Sequence, residues 1–257
     1  MDPDSLRGFA TELAEASGRA LAGMFRHPDL GVETKGDDSP VTAADRYAEA
    51  LLRDRILARF PDHGIVGEEF GTVAEDAEYV WVLDPIDGTI SFVAGVPLFG
   101  TLIALLHAGE PILGVIHQPI TRELAIGTAA GTTLNGEAVR VREDRALAEA
   151  MLLTTDPGAV GRHRDPGRFE ALCARARLCR GWGDCYGYLM VASGRADIML
   201  DPVMHPWDIA ALVPVVRGAG GVITTWEGDD PVGGTSTVAA APALHREVMH
   251  ILNGTES

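Results

Sequence analysis

Tyr79-Val80-Trp81-Val82-Leu83-Asp84-Pro85-Ile86-Asp87-Gly88-Thr89 is the stretch from which the rest of the chain can be read. Its first five residues are β-branched, aromatic or aliphatic, the composition of a buried strand. That strand runs straight into two aspartates set three residues apart around a Pro-containing turn. A carboxylate leaving a buried strand points out of the core into a cleft, and the second can face the same point. Gly88-Thr89 then leads into Ile90-Ser91-Phe92-Val93, a helix start whose free N–H groups suit an anion such as phosphate. The Thr89 hydroxyl adds a group able to hold a water.

Working outward, residues 4–25 carry Leu6, Phe9, Leu13, Ala16, Ala20, Leu21 and Met24 at helical spacing, and His27-Pro28 ends that helix. Residues 31–41 are polar and turn-rich. Thr42 or Asp45 caps a second helix through about Phe60, broken by Pro61-Asp62-His63-Gly64. Residues 99–106 and 111–118, joined by Ala108-Gly109-Glu110, form a hairpin, and Asn135-Gly136 marks a further turn. Charged, loop-like sequence over 136–150 is the best internal boundary, dividing a half at 1–140 from a half at 141–257. Beyond it the pattern gives strands at 151–154, 197–200 and 221–226, and helices at 167–178, 185–193, 207–217 and 242–252. Mixed strands and helices with a hairpin imply a layered α+β architecture rather than a strict βαβ array.

Composition narrows the function. The chain has 257 residues, 46% hydrophobic and 23% charged, which excludes disorder and coiled coil. A net charge of −16 opposes a nucleic-acid-binding surface, but a bound metal can reverse the local field for a small anion. The acidic N-terminus, Met1-Asp2-Pro3-Asp4-Ser5, does not look like a signal peptide, and no apolar run is long enough to span a bilayer, so a cytoplasmic protein is expected. Cys173, Cys179 and Cys185 are spaced by six, which fits neither a C-x-x-C pair nor a zinc knuckle; reduced thiols in or near the core are expected. The eight histidines show no metal-binding pattern, and Arg162-His163-Arg164 is a local basic spot that reads as a solvated loop before it reads as an aid to substrate entry. Arginine outnumbers lysine twenty to one, which leaves Lys35 as a position where a planar fork would not serve.

Three acidic clusters stand out: Gly67-Glu68-Glu69-Phe70-Gly71, the Asp84–Thr89 run, and Trp207-Asp208-Ile209-Ala210-Ala211. Singly, each has an ordinary explanation as a solvated face or a turn. Gathered in one cleft without bases, carboxylates need protons or cations. Hard divalent ions answer that need, and Mg²⁺ in particular accepts substrate phosphate oxygens.

Asp45, Glu68-Glu69, Asp84-Pro85-Ile86-Asp87-Gly88-Thr89 and Trp207-Asp208-Ile209-Ala210-Ala211, in this order, resemble the Mg²⁺-dependent, lithium-sensitive phosphatases of the inositol monophosphatase superfamily. The resemblance covers essentially the whole chain and implies a layered αβαβα sandwich and a homodimer. It implies that the 1–140 half carries most metal ligands and the 141–257 half completes the site and substrate pocket. Glu68, Asp84 and the Ile86 carbonyl would bind one metal, Asp84, Asp87 and Asp208 a second, and Glu68 would help hold a weaker third. Glu68 and Thr89 would position the attacking water, the Gly88 and Thr89 amides would hold phosphate, and Glu69 would stand behind the ligands. Lys35 and Asp45 match a lysine and an aspartate bordering the metal site. Ser91 departs from the family, where many members have Asn.

Within the superfamily, Arg180-Gly181-Trp182-Gly183-Asp184-Cys185-Tyr186 resembles the histidinol-phosphate phosphatase branch. Asp184 would meet the substrate ammonium through a charge-assisted hydrogen bond, or it would cap the helix at 185–193. Asp201 matches a substrate-binding acidic position. The expected activity is hydrolysis of histidinol phosphate by metal-activated water. Inositol 1-phosphate or a broader set of sugar phosphates is the alternative substrate. A non-catalytic metal- or phosphate-binding regulator is a third reading, opposed by the complete set of ligands.

Overall fold

The computed structural model describes residues 2–34 and 40–254; Lys35 lies outside them. The chain begins with α1 (Pro3–Met24), β1 (Glu33–Thr34), β2 (Pro40–Val41) and α2 (Ala43–Arg59). Then come β3 (Gly64–Gly67), β4 (Gly71–Val73), β5 (Tyr79–Asp87), α3 (Thr89–Val93), β6 (Gly100–His107) and β7 (Glu110–Gln118). β8 (Glu123–Thr128), β9 (Gly131–Leu134) and β10 (Glu137–Val139) complete the first half. The second half holds β11 (Met151–Leu153), α4 (Pro157–His163), α5 (Pro166–Arg175), β12 (Leu178–Arg180) and α6 (Asp184–Ala192). It ends with β13 (Ile198–Asp201), α7 (Pro206–Ala210), α8 (Leu212–Gly218), β14 (Val222–Thr224), β15 (Thr237–Ala240) and α9 (Pro242–Asn253).

Strand alternation builds five layers. In the eight-stranded sheet, ordered β10-β9-β8-β7-β6-β5-β3-β4, register aligns Ile65, Trp81, Leu105 and Leu113 in one row. Leu83, Ile103, Val115 and Ile126 form the next. α1 and α2 cover both rows with Leu6, Ala10, Leu13, Leu52 and Ile56. Because side chains alternate with period two, Val82, Leu102, Ala104 and Ile116 face the other way, onto α6, α7 and α8. The five-stranded sheet, ordered β12-β11-β13-β15-β14, closes that middle layer with Met199, Ile223 and Ala239. Its outer face packs Leu152, Ile198 and Val238 on Phe169, Leu172, Leu244 and Val248 of α5 and α9. The result is the expected αβαβα sandwich of α+β class.

The helix expected at 207–217 is two helices, broken at Ala211. Pro214 has no N–H to donate to the Ala210 carbonyl, so the ladder is interrupted there. The broken segment lies directly on the sheet. A Cβ on Gly114 would stand 2.1 Å from the Ala211 carbonyl oxygen, and one on Gly127 would stand 2.3 Å from the Val215 Cα. Gly114 and Gly127 are register partners across β7 and β8, so two missing side chains make one shallow trough for a backbone. The Thr132 hydroxyl, buried at its edge, donates to the Val215 carbonyl at 2.7 Å.

Gly114→Ala should therefore lower unfolding free energy by about 1–3 kcal/mol in urea titrations, the usual cost of overpacking. Gly8, on the exposed face of α1 with nothing within 4 Å of an added Cβ, should respond oppositely to Ala, gaining about 0.4–1 kcal/mol. Equal stability of Gly114→Ala and the parent chain would contradict the close contact.

Candidate active site

Asp84, Asp87 and Asp208 place one carboxylate oxygen each within 4.8 Å of one another. β5 delivers the first two: the turn expected at Asp84–Asp87 is instead the end of this strand, and its pairing with β6 is irregular there, which brings both side chains to one cleft. The irregular segment is pinned from inside. The Ile86 N–H donates to Asp84 Oδ1 at 3.0 Å, and the Thr101 hydroxyl donates to the Pro85 carbonyl at 2.9 Å. That commits the only Thr101 hydroxyl proton, so Ser17 of α1, 2.9 Å away, donates to Thr101. Asp87 Oδ2 accepts the Cys185 N–H at 2.5 Å. Asp208 is the third residue of α7, and its Oδ2 accepts the His205 N–H at 2.7 Å, a capping-box contact.

Burial, then the charges of Glu68 and Asp87, pushes the Asp84 carboxyl well above its ordinary range. Burial, then Asp184 and Asp208, does the same to Asp87. Burial raises Asp208 to about 7 against the opposing His205 hydrogen bond. No cationic side chain is among the main influences on the three. The donor set is therefore all-oxygen and uncompensated, which is chemistry suited to a hard divalent cation.

Glu68 belongs to this cluster, since its charge acts on Asp84, Asp45 and Asp208. Its N–H donates to the Leu83 carbonyl at 3.2 Å, tying it to the strand that carries Asp84. A buried carboxylate on α2 fixes the turn. Glu49 accepts the Glu69 N–H at 2.7 Å and the Phe70 N–H at 3.2 Å, and Arg53 donates to Glu49 at 2.7 Å and to the Gly71 carbonyl. An i,i+4 Glu-Arg pair in sequence ordinarily marks a solvated helix face, and nothing else in the sequence singles out these two. The Glu69 side chain lies toward Arg46.

Asp45 is fully buried. Its Oδ2 accepts both the Thr42 N–H (2.7 Å) and the Thr42 hydroxyl (2.6 Å), closing the box at the start of α2. Both proposed caps thus act, Thr42 at the cap position and Asp45 three residues on. The Thr89 hydroxyl reaches the Ile86 carbonyl at 3.0 Å and Asp45 Oδ1 at 3.3 Å. Burial raises the Asp45 carboxyl despite the Thr42 hydrogen bonds.

Asp184 and Asp201, expected at the substrate pocket, lie at the start of α6 and the end of β13. Gly183, not Asp184, takes the cap position of α6, so the capping alternative for Asp184 does not hold. Asp184 is the first helical residue, in the left-handed region at φ 51°, which Asp tolerates better than most residues. Its N–H donates to the Thr155 hydroxyl at 2.8 Å, and its carboxylate accepts no hydrogen bond among the described residues. Burial, then the charge of Asp201, raises Asp184 to about 7. Asp184 Oδ2 would lie 2.9 Å from a Cβ on Gly88, which itself has φ 87°, so Gly88 serves both the turn and the neighbouring carboxylate. Asp201, expected to meet substrate, directs both oxygens into the protein. Thr154 and the Thr155 N–H meet Oδ1 at 3.4 and 2.9 Å; the Thr155 and Tyr188 hydroxyls meet Oδ2 at 3.0 and 3.1 Å. Thr155 was not apparent as a site residue from sequence.

A strand-borne aspartate pair, a glutamate turn and a helix-borne aspartate around one cleft form an oxygen-donor set that could hold a metal ion, and comparison with known proteins identifies the family of the chain. The inositol monophosphatase family matches residues 2–255, and the chain belongs to that family. A histidinol-phosphatase of Chlorobaculum parvum is 40% identical over 249 residues, 96% of each chain. The chloroplastic bifunctional phosphatase IMPL2 of Arabidopsis thaliana is 41% identical over 245 residues, covering 94% of this chain and 70% of that one. A solved inositol monophosphatase from Zymomonas mobilis superposes with a TM-score of 0.86 at 36% identity, over 97% of this chain and 98% of that one. The protein is thus a phosphoric monoester hydrolase. No helix among the described residues is long and apolar enough to cross a membrane.

The raised carboxyls carry a stability signature. Asp208 and Asp184, at about 7 when folded, titrate near 3.9 when unfolded. Between these values the folded chain binds more protons, so their contribution is full below the lower value and is lost as pH rises through the upper. Chelator-treated protein should melt at lower temperature at pH 8 than at pH 5.5 in scanning calorimetry, and Asp208→Asn should flatten that slope. A melting temperature that rises over the same interval would contradict the clustering.

Proposed function

We propose that the chain is a Mg²⁺-dependent histidinol-phosphate phosphatase of the cytoplasm, acting as a homodimer. The observation that carries the substrate assignment is Asp184, a half-buried carboxylate beside Gly88 that accepts no hydrogen bond among the described residues. An alkyl ammonium is the ligand that such an acid would take, and histidinol phosphate has one where inositol phosphate has only hydroxyls. The resemblance of residues 180–186 to that branch and the similarity to the Chlorobaculum histidinol-phosphatase support the same reading.

Glu68, Asp84, Asp87, Asp208 and the Ile86 carbonyl would hold the Mg²⁺ ions, two with a weaker third at Glu68. When bound, Mg²⁺ supplies Lewis acidity to the phosphoryl oxygens and lowers the pKa of water. The remaining work belongs to the chain. Thr89 directs its proton to the Ile86 carbonyl and Asp45, which leaves its oxygen lone pairs to accept from the attacking water. Glu68, on the adjacent turn, takes the second hydrogen bond and orients the same water. The Gly88 and Thr89 amides open the first turn of α3 without an intrahelical acceptor and face the phosphate. Asp184 binds the ammonium end, and Asp201 holds it in place through Thr155. The family resemblance would assign Lys35 a place bordering the metal site. No residue is placed as a covalent nucleophile, so water attacks in line and positioning supplies most of the rate.

Inositol 1-phosphate is the second reading, favoured by the likeness to the Zymomonas inositol monophosphatase. Asp184→Asn separates the two. Losing a charge-assisted hydrogen bond of roughly 1.5–3 kcal/mol should lower kcat/KM on histidinol phosphate by roughly 10- to 150-fold. Activity on inositol 1-phosphate should change far less. Equal losses on both substrates would assign Asp184 a structural role.

Chelation should abolish phosphate release, Mg²⁺ should restore it, and lithium should inhibit. Glu68→Gln should collapse kcat with an unchanged far-ultraviolet circular dichroism spectrum. Full turnover after exhaustive chelation would remove the metal-dependent reading altogether.

A further inference from the structure

The three cysteines fall into two environments. Cys185 is fully buried at the start of α6, where its sulfur accepts a hydrogen bond from Gln118 at 3.1 Å. Cys173 and Cys179 are half-buried free thiols with sulfurs 3.5 Å apart. Cys173 lies near the end of α5, and Cys179 is the middle residue of β12. A short return, with the Ala176 N–H bonded to Leu172 and the Arg177 N–H to Ala150, holds the two thiols face to face. Neither sequence spacing nor composition shows this pairing.

We propose that Cys173 and Cys179 form a redox-active modification site, converted by a hydroperoxide to a disulfide and restored by a dithiol. Cys179 is the thiol that reacts first. The Cys173 hydrogen bond, then the neighbouring Arg180 charge, favours its thiolate and brings it to about 7, while Cys173 is driven upward. The Cys179 thiolate attacks one peroxide oxygen, the O–O bond breaks, and hydroxide leaves, giving a sulfenic acid. The Cys173 sulfur then attacks the Cys179 sulfur, the S–O bond breaks, and water departs with the Cys173 proton. Two thiols are oxidised by two electrons, and one hydrogen peroxide is reduced to two waters.

Bond formation must bring the sulfurs from 3.5 Å to about 2.05 Å. β12 can supply that movement, because it is an edge strand paired only with β11. The movement has a consequence at the substrate pocket. Arg180, next to Cys179, accepts the Thr154 N–H through its carbonyl at 3.2 Å. Thr155 follows and holds the Asp184 N–H, while residues 181–183 run directly from β12 into Asp184. Oxidation therefore displaces Asp184 and slows turnover.

The experiment treats reduced full-length protein with a small excess of hydrogen peroxide and counts thiols after denaturation. The expected result is a fall from three thiols to one, loss of two hydrogens in the intact mass, and a disulfide inside the peptide spanning 173–179. Dithiothreitol should reverse all three changes, and Cys179→Ser should show none. Retention of all three thiols, consumption of Cys185, or oxygen addition at Cys179 with Cys173 still free would overturn the site. In parallel, phosphate release from whichever monoester the protein hydrolyses best should fall severalfold in the disulfide form and recover on reduction. Undiminished activity in fully oxidised protein would overturn the coupling to Asp184, whatever the true substrate.

Discussion

Acidic side chains held together in one cleft are the constraint around which this structure is organised. Asp84, Asp87 and Asp208 would separate if each were free to rotate toward water. Each is instead held by a backbone N–H from a rigid neighbour: Ile86 for Asp84, Cys185 for Asp87 and His205 for Asp208. Such donors fix orientation without delivering a full charge, so the cluster is aimed but not neutralised. An arginine in the cleft would have relaxed the repulsion and removed the affinity for a cation. One basic group of α2, Arg53, is turned to Glu49 and the Gly71 carbonyl, where it stabilises the glutamate turn from behind.

The same constraint explains why the middle layer is packed so closely. Asp208 comes from the second half of the chain but must reach a strand of the first. The trough at Gly114 and Gly127 lets the Ala211–Val215 backbone rest directly on β7 and β8, which brings the end of α7 down to the level of Asp84. A conventional helix–sheet contact, mediated by side chains, would hold Asp208 several ångströms further out. The site therefore depends on two glycines that touch no ligand, and one hydrophobic cluster shared by both sheets fixes the distance.

The parts of the site that could be read from sequence are those whose geometry is local. The 79–89 run carries its own strand, turn and helix start, and the 99–118 hairpin and the amphipathic helices at both ends follow from short-range pattern. The short strands β3, β4, β8, β9, β10, β12 and β15 and the helix α4 do not. Glu137-Ala138-Val139, for example, is a strand because β9 lies beside it, not because three residues prefer that state. The break at Ala211 combines a proline with a tertiary contact, and only the proline is visible in sequence. Glu49, Thr155 and the Cys173–Cys179 pair were missed for the same reason. Glu49 acts across 20 and 21 residues, Thr155 across 29 and 46, and the two thiols across a helix–strand return, where the sequence gives no spacing rule.

Two buried aspartates near the site share a design that separates reach from rigidity. Asp45 accepts the amide and hydroxyl of Thr42 and also meets Thr89. Asp201 accepts the amide and hydroxyl of Thr155, and that hydroxyl receives the Asp184 N–H. In both, a buried carboxylate fixes a threonine or is fixed by one, and a second polar group at the cleft is held by the same assembly. Burial raises both carboxyls, Asp201 to about 6, and the hydrogen bonds they accept favour the charged form needed to keep each hydroxyl proton pointed inward. Aspartate suits this task better than glutamate, because one fewer rotatable bond leaves fewer orientations for the assembly to lose. The left-handed backbone at Asp184 is sustained by that same anchorage. Thr155 holds its N–H, Gly183 lies so close to Thr155 that a Cβ would stand 2.2 Å from its Cα, and the Asp184 carboxylate stays beside Gly88 without a hydrogen-bond donor among the described residues.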